Sequence, residues 1–198
     1  MKTIYLLRHA EPDFPHGERI YLGGKIDLPL SCRGHEQATE IGKAFATIAV
    51  EAVFSSPMKR AIQTAAYIAG GMNRIRTVEM LRELDGGVWD GMTGVQVRAR
   101  YPEYFVPGGQ AFPPPGGESD EHGLMRAVNA LNWIEGQIET SAVIVAHSGL
   151  NRILLCSLMN MPLSQRKMIQ QEYGCINRIT KDNQEWRVDA VALSCKEL

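Results

Sequence analysis

The chain has 198 residues, 44% of them hydrophobic and 22% charged, which are ordinary proportions for a globular protein. Residues 1–198 are therefore read as one domain with a sizeable core. Its 21 basic and 22 acidic residues leave a net charge of −1, which argues against a nucleic-acid or anionic-membrane binder, since both favour a basic excess.

Thr3–Leu7 is an apolar, partly β-branched run and is expected to be a buried first strand. These five residues are too few for a signal-peptide core, and no long apolar run follows, so a cytoplasmic address is expected. Ala10 to Leu30 is rich in proline, glycine and charge and is expected to be a loop that walls a crevice. Ser31 is a helix cap by type, and Ala38, Ile41, Ala44, Phe45 and Ile48 recur at helical spacing, giving a helix over 31–48. Ala52–Ser56 reads as a second buried strand. Pro57 suits the first turn of a helix that runs on to about Gly70. Arg76–Glu79 is a short third strand, Leu81–Gly91 a glycine-rich loop, and Thr93 the cap of a short helix to about Arg100. The proline- and glycine-rich stretch 102–118 is an excursion over the edge of the crevice, and Ser119 caps a helix with an apolar stripe through Leu124, Val128, Leu131, Ile134 and Ile138. Ala142–Ala146 is apolar throughout, as central parallel strands covered on both faces are. A helix through Ile153–Leu158 follows, and then strands near Gly174–Thr180 and Glu185–Leu193, joined by a turn at 181–184. This βα alternation followed by a hairpin is an α/β fold, a three-layer α/β/α sandwich with a mostly parallel central sheet.

Arg8 and His9 stand at the end of the first strand, where an open α/β sheet forms its crevices. A guanidinium beside an imidazole suits an anion, phosphate first. Ser55-Ser56 runs straight into a helix N-terminus whose free N–H groups also favour an anion. Arg60 in the first turn of that helix opposes the helix dipole, which a bound anion would explain; a solvated surface arginine is the alternative. His147, at the end of the strongest strand, repeats the arrangement. His16, His35 and His122 match no motif and are read as surface residues. Cys32, Cys156, Cys175 and Cys195 are scattered without a C-x-x-C pair and are read as reduced structural thiols.

Taken together, Leu7-Arg8-His9-Ala10-Glu11, Asp27–Ser31, Ser55–Ala65, Leu84–Gly91, Pro115–Ser119 and Val145–Gly149 resemble, in order, the motifs of the histidine phosphatase superfamily, the phosphoglycerate-mutase-like fold. The resemblance covers most of the chain. It implies His9 as the nucleophile that becomes a phosphohistidine and Glu83 as the general acid and base. Arg8, Arg60, His147 and Ser148 would bind the phosphate, with His147 protonated against its charge. It implies neither cofactor nor metal. The partner implied is a small-molecule phosphate monoester. Nucleic acid and membrane are not expected, and the chain is read as a monomer or a homodimer, with the C-terminal hairpin and Trp186 as a candidate dimer edge.

Two departures from the pattern stand out. Ala10 replaces the usual glycine and is expected to add a methyl near the phosphate. The mutase-like Ser-x-Trp-Asn pattern after the first acid is missing, and between Glu83 and Glu118 the basic residues following the acid loop are Arg98 and Arg100 alone. Both favour a phosphatase over a mutase. The motifs at 24–31 and 115–119 are most like the branch of α-ribazole and broad-specificity phosphatases, so α-ribazole 5′-phosphate is a candidate substrate. A mutase, a protein-phosphohistidine phosphatase and a non-catalytic phospholigand-binding module remain as alternatives. Substrate choice is expected to lie with residues 12–24 and 102–118.

Overall fold

The computed structural model describes residues 1–105, 113–182 and 185–198. Part of the 102–118 excursion and half of the 181–184 turn therefore lie outside the described residues. Six strands form one sheet: β1 (Lys2–Arg8), β2 (Ala52–Ser55), β3 (Ile75–Thr77), β4 (Ser141–Ala146), β5 (Ile176–Asp182) and β6 (Glu185–Leu193). Their order across the sheet is β3-β2-β4-β1-β5-β6. The first four in that order are parallel, and β5 and β6 close the sheet as an antiparallel pair. The α/β sandwich with a mostly parallel sheet is thus what the chain forms.

The period-two alternation of the strands assigns each side chain to a layer. Ile4 and Leu6 of β1, Phe54 of β2 and Ile144 of β4 pack on one face, against α4 (Asp120–Glu135) and α5 (Ser148–Leu158). Leu7, Val53, Val143 and Val145 point the other way, onto Ile41 and Phe45 of α1 (Cys32–Phe45) and Ala61 and Ala65 of α2 (Lys59–Ala69). Burying each of these larger aliphatic side chains contributes about 1.5–3 kcal/mol. A shorter helix, α3 (Gly94–Arg100), lies outside the sandwich layers just described.

The expected caps form. The Ser31 hydroxyl accepts from Gly34 N at 3.0 Å, Ser119 from His122 N at 3.1 Å, and Thr93 and Gln96 make a reciprocal capping box. Several boundaries shift: α1 ends at Phe45 and not at 48, and β3 runs Ile75–Thr77 and not 76–79. Met58, not Pro57, precedes α2, and the carboxylate of Asp27 accepts from Lys59 N at 2.7 Å in place of a local cap. The helix α5 starts at Ser148, directly after His147. β5 starts at Ile176, two residues later than the hairpin pattern suggests. His35 is half-buried, with Nδ1 3.0 Å from the Tyr67 hydroxyl, while His16 and His122 are exposed as read. Trp186 is partly buried, packed against the core.

Because β4 lies beside β1, the helix after β1 (α1) and the helix after β4 (α5) cover opposite faces of the sheet. A crevice opens at the carboxyl ends of two such neighbouring strands. The candidate site lies there.

Candidate active site

The register pairs Arg8 with Ala146, so the residues that follow, His9 and His147, emerge side by side, and His9 N donates to Ala146 O at 3.0 Å. Their rings are 5.1 Å apart between centroids. On the far side of β4, Ser56 N donates to Val145 O at 2.9 Å, which seats the start of α2 beside both histidines. Arg60, in the first turn of α2, is completely buried. A solvated surface arginine is thereby excluded. Its Nε donates to His9 Nε2 at 3.3 Å and its Nη1 to Ile26 O at 2.7 Å.

His9 is 4% exposed, and its Nδ1 lies 2.7 Å from its neighbour's carbonyl, Ala10 O. A carbonyl only accepts, so Nδ1 carries the hydrogen and Nε2 keeps its lone pair. Burial, then Arg60 and Arg8, hold the imidazole well below the ordinary histidine range, so the ring is neutral. His147 is equally buried and, through burial, Arg60, His9 and Arg8, is also held well below that range. Its Nε2 lies 2.8 Å from Ser56 Oγ, which itself accepts from Met58 N at 3.3 Å.

Arg8 is gripped from two sides. Its Nη1 donates to the Gln171 carbonyl, and its guanidinium carbon sits 3.8 Å over the Tyr173 ring. Gln171 is fixed in turn by Asn177, which donates to Leu6 O of β1 at 2.8 Å. Three buried side-chain nitrogens next to His9 have no hydrogen-bond partner: Arg8 Nε, Arg60 Nη2 and His147 Nδ1. Buried polar atoms are normally paired, so three together mark a place where a ligand supplies the acceptors.

Glu83 stands on the wall opposite. Its carboxylate accepts from Gly149 N at 2.9 Å, Leu150 N at 3.0 Å and its own neighbour Leu84 N at 2.9 Å, all but the last at the N-terminus of α5. Only a residue without a side chain allows this approach: a Cβ on Gly149 would come within 2.6 Å of Glu83 Oε1. The loop before Glu83 is clamped from α4. Arg126 pairs both its Nε and Nη2 with the Glu118 carboxylate and donates Nη1 to the carbonyls of Met80 and Arg82. The neighbouring acids are committed elsewhere. Asp85 pairs with Lys25 at 2.9 Å, and Asp90 accepts from Gly23 N at 2.8 Å inside a cradle of Gly23 and Gly86.

Arg8, His9, Glu83 and Ser148 line one cavity of about 330 Å³, with Arg60 and His147 buried beneath. The Ala10–Leu30 loop contributes Phe14 and Ile20 to Gly23 to its wall. Ala10 does not line this cavity. It packs with Leu30 and Ala38, tying the loop to α1. Sequence reasoning missed Tyr173, Gln171, Arg126, Asp27 as a helix cap, and the basic residues Arg152, Arg166 and Lys167 on the cavity wall. Only Arg152 left a signal, four residues after Ser148 and so on the same helix face.

The sequence pattern of the histidine phosphatase superfamily (branch 1) matches residues 4–194. Phosphoserine phosphatase 1 of Hydrogenobacter thermophilus is 29% identical over 89% of this chain and 83% of its own. The probable phosphoglycerate mutase GpmB of Salmonella typhi is 28% identical over 94% and 88%. Among solved structures, Bacillus stearothermophilus YhfR superposes with a TM-score of 0.85 at 28% identity, covering 96% of each chain. With two strand-end histidines over a buried arginine and a pattern matched from β1 to the end of β6, the chain belongs to the histidine phosphatase superfamily, branch 1.

Proposed function

We propose that this phosphoric monoester hydrolase transfers the phosphoryl group of a small phosphorylated metabolite to His9 Nε2 and from there to water. The observation that carries the reading is the ring of three unpartnered nitrogens beside a histidine whose Nε2 holds its lone pair. In the first step the Nε2–P bond forms and the P–O ester bond breaks, with Glu83 giving its proton to the leaving oxygen. In the second, Glu83 takes a proton from water as the O–P bond forms and Nε2–P breaks. Arg8 Nε, Arg60 Nη2 and His147 Nδ1 donate to the transferring oxygens throughout, and no reorganisation is needed because each is already desolvated and fixed.

His147 need not be charged to do this. In this reading Ser56 Oγ, which accepts from Met58 N, donates its own hydrogen to His147 Nε2, and the ring hydrogen sits on Nδ1. A bound phosphate would favour a second proton there.

A mutase-type transfer has one observation in its favour. Arg152, Arg166 and Lys167 reach the cavity wall from outside the segment between Glu83 and Glu118, so the scarcity of basic residues in that segment does not count against a doubly charged ligand. The test is phosphate release in EDTA from para-nitrophenyl phosphate, phosphoserine, 3-phosphoglycerate and α-ribazole 5′-phosphate, with His9→Ala alongside. Release by the wild type alone supports the hydrolase. Isomerisation of phosphoglycerate without release supports the mutase. Binding with neither outcome supports a non-catalytic module.

A further inference from the structure

We infer that Gln171 and Asn177 are positioning residues of the reaction. They form a buried amide brace, anchored on a bulge in β6, that fixes the carbonyl holding Arg8 and so sets where Arg8 Nε points. The inference rests on the hydrolase reading, in which Arg8 Nε donates to the transferring phosphoryl group.

Arg8 is half-buried, and none of the ion pairs among the described residues includes it. The groups that grip it, the Gln171 carbonyl and the Tyr173 ring, are neutral, so they orient the guanidinium without cancelling its charge. Both come from the irregular stretch 169–175, between Met168 and the start of β5 at Ile176. Two backbone bonds tie the end of this stretch to β1, Arg8 N to Cys175 O at 3.1 Å and Gly174 N to His9 O at 3.2 Å. Gln171 lies beyond them, and its side chain holds it instead. Nε2 donates to Asn177 Oδ1 and to Gln170 O, both at 2.8 Å, and Oε1 accepts from Asn177 Nδ2 and Asn151 Nδ2, both at 3.2 Å.

Asn177 sits in β5 opposite Leu6 and is fully buried. An apolar side chain would suit that place by burial alone, because a buried amide is costly unless its bonds are made. Asn177 makes all of them. Oδ1 accepts from Gln171 Nε2 at 2.8 Å and Ala192 N at 3.0 Å, and Nδ2 donates to Leu6 O at 2.8 Å and Gln171 Oε1 at 3.2 Å. Ala192 can offer its N–H because β6 bulges there. Ile176 pairs with Leu193 but Arg178 with Ala190, so β6 takes three steps where β5 takes two, and Ala192 adopts a left-handed φ of 57°. A residue other than glycine is strained in that region and stays there only where surrounding bonds demand it. An amide with every bond made rigidifies what it holds, and Asn177 holds the support of Arg8.

The test is a double-mutant cycle read by kcat/KM with para-nitrophenyl phosphate. Gln171→Met and Asn177→Leu remove the amides at nearly constant volume, each made alone, with Arg8→Ala and with Glu83→Gln. Alone, each should lower kcat/KM about tenfold or more, chiefly through kcat, since a displaced guanidinium is felt most in the transition state. With Arg8→Ala the further loss should shrink to about twofold or less. With Glu83→Gln it should persist, because Glu83 is held by the start of α5 and not by the brace. A protein merely loosened would lose the same factor in every background. Urea melts accompany each variant, and Gln171→Met, outside the sheet, keeps the cycle measurable should Asn177→Leu fail to fold. An equal loss with and without Arg8, or no loss from either substitution, overturns the brace and leaves the hydrolase standing. No phosphate release by the wild type overturns the hydrolase reading and this one with it.

Discussion

The floor of the cavity is made by side chains at the ends of β1 and β4 and in the first turn of α2, whereas its mouth is made by loops and by long side chains that cross from other layers. On the floor, His9, Arg60 and His147 are almost fully buried, and Arg8 Nε, Arg60 Nη2 and His147 Nδ1 lack partners. At the mouth, Asp85, Asp90, Glu118 and Asp120 are each bonded within the protein, and Trp89 is stacked among Tyr21, Tyr104 and Phe105. The floor holds unspent hydrogen-bonding capacity in a dry setting, where it is strongest. At the mouth each of these acids keeps a partner within the protein, although Asp90 Oδ2 and Asp120 Oδ1 have no hydrogen bond. Binding of the transferring phosphoryl group therefore belongs to the floor, and Glu83 meets it from the wall.

The largest expected effect falls on the floor. His9→Ala should lower kcat/KM by a factor on the order of 10⁴ or more, measured with para-nitrophenyl phosphate, because no other group can take the phosphoryl. Glu83→Gln sharpens the comparison by leaving group. It should cost about 10³-fold with an alkyl phosphate and far less with para-nitrophenyl phosphate, whose phenolate leaves unaided. Equal losses on both esters would remove Glu83 from proton transfer. Gly149→Ala should displace the Glu83 carboxylate without touching it chemically, lowering kcat about 100-fold, and a crystal structure of the variant should show the carboxylate moved.

The two regions were unequally legible in the sequence, for a physical reason. The floor is built from residues next to strand ends and helix starts, so a buried run followed by Arg8-His9 or His147 declares it locally. Arg60 could be read because a cation in a helix's first turn is anomalous. The mouth is assembled from residues distant in sequence. Nothing around Tyr173 or Gln171 signals that they grip Arg8, more than 160 residues away. The role of Glu118 as a clamp appears only when Arg126 is seen to span it and the carbonyls before Glu83. Ala10 misled for the same reason. Its methyl was assigned to the pocket by sequence proximity to His9, but the backbone turns it towards Leu30 and Ala38.

Two smaller effects test the burial side of the comparison. His9 and His147 have folded-state proton affinities depressed below the ordinary value of 6.5, so below that pH the unfolded chain binds protons that the folded one does not. Stability should be level above about pH 6.5 and fall as pH drops, by up to about 1.4 kcal/mol per pH unit for each histidine. Urea melts across pH 5–7 would show it, and His147→Gln should reduce the slope. The smallest effect is Ala10→Gly, expected to cost about 1–2 kcal/mol of stability through one lost methyl and added backbone freedom. Its kcat/KM should stay within about threefold of wild type, since the methyl lies outside the cavity; a large gain in kcat/KM would put the methyl back at the phosphate.

The central claim is that His9 carries the phosphoryl group on Nε2, because Nδ1 is bonded to the Ala10 carbonyl. The most direct measurement is rapid alkaline quenching during turnover, followed by phosphopeptide mapping and ³¹P NMR of the trapped enzyme. Phosphate on His9 through Nε2, absent in His9→Ala, is the predicted result. Phosphate attached through Nδ1, or steady release with no phosphoenzyme trapped at any time, would contradict it.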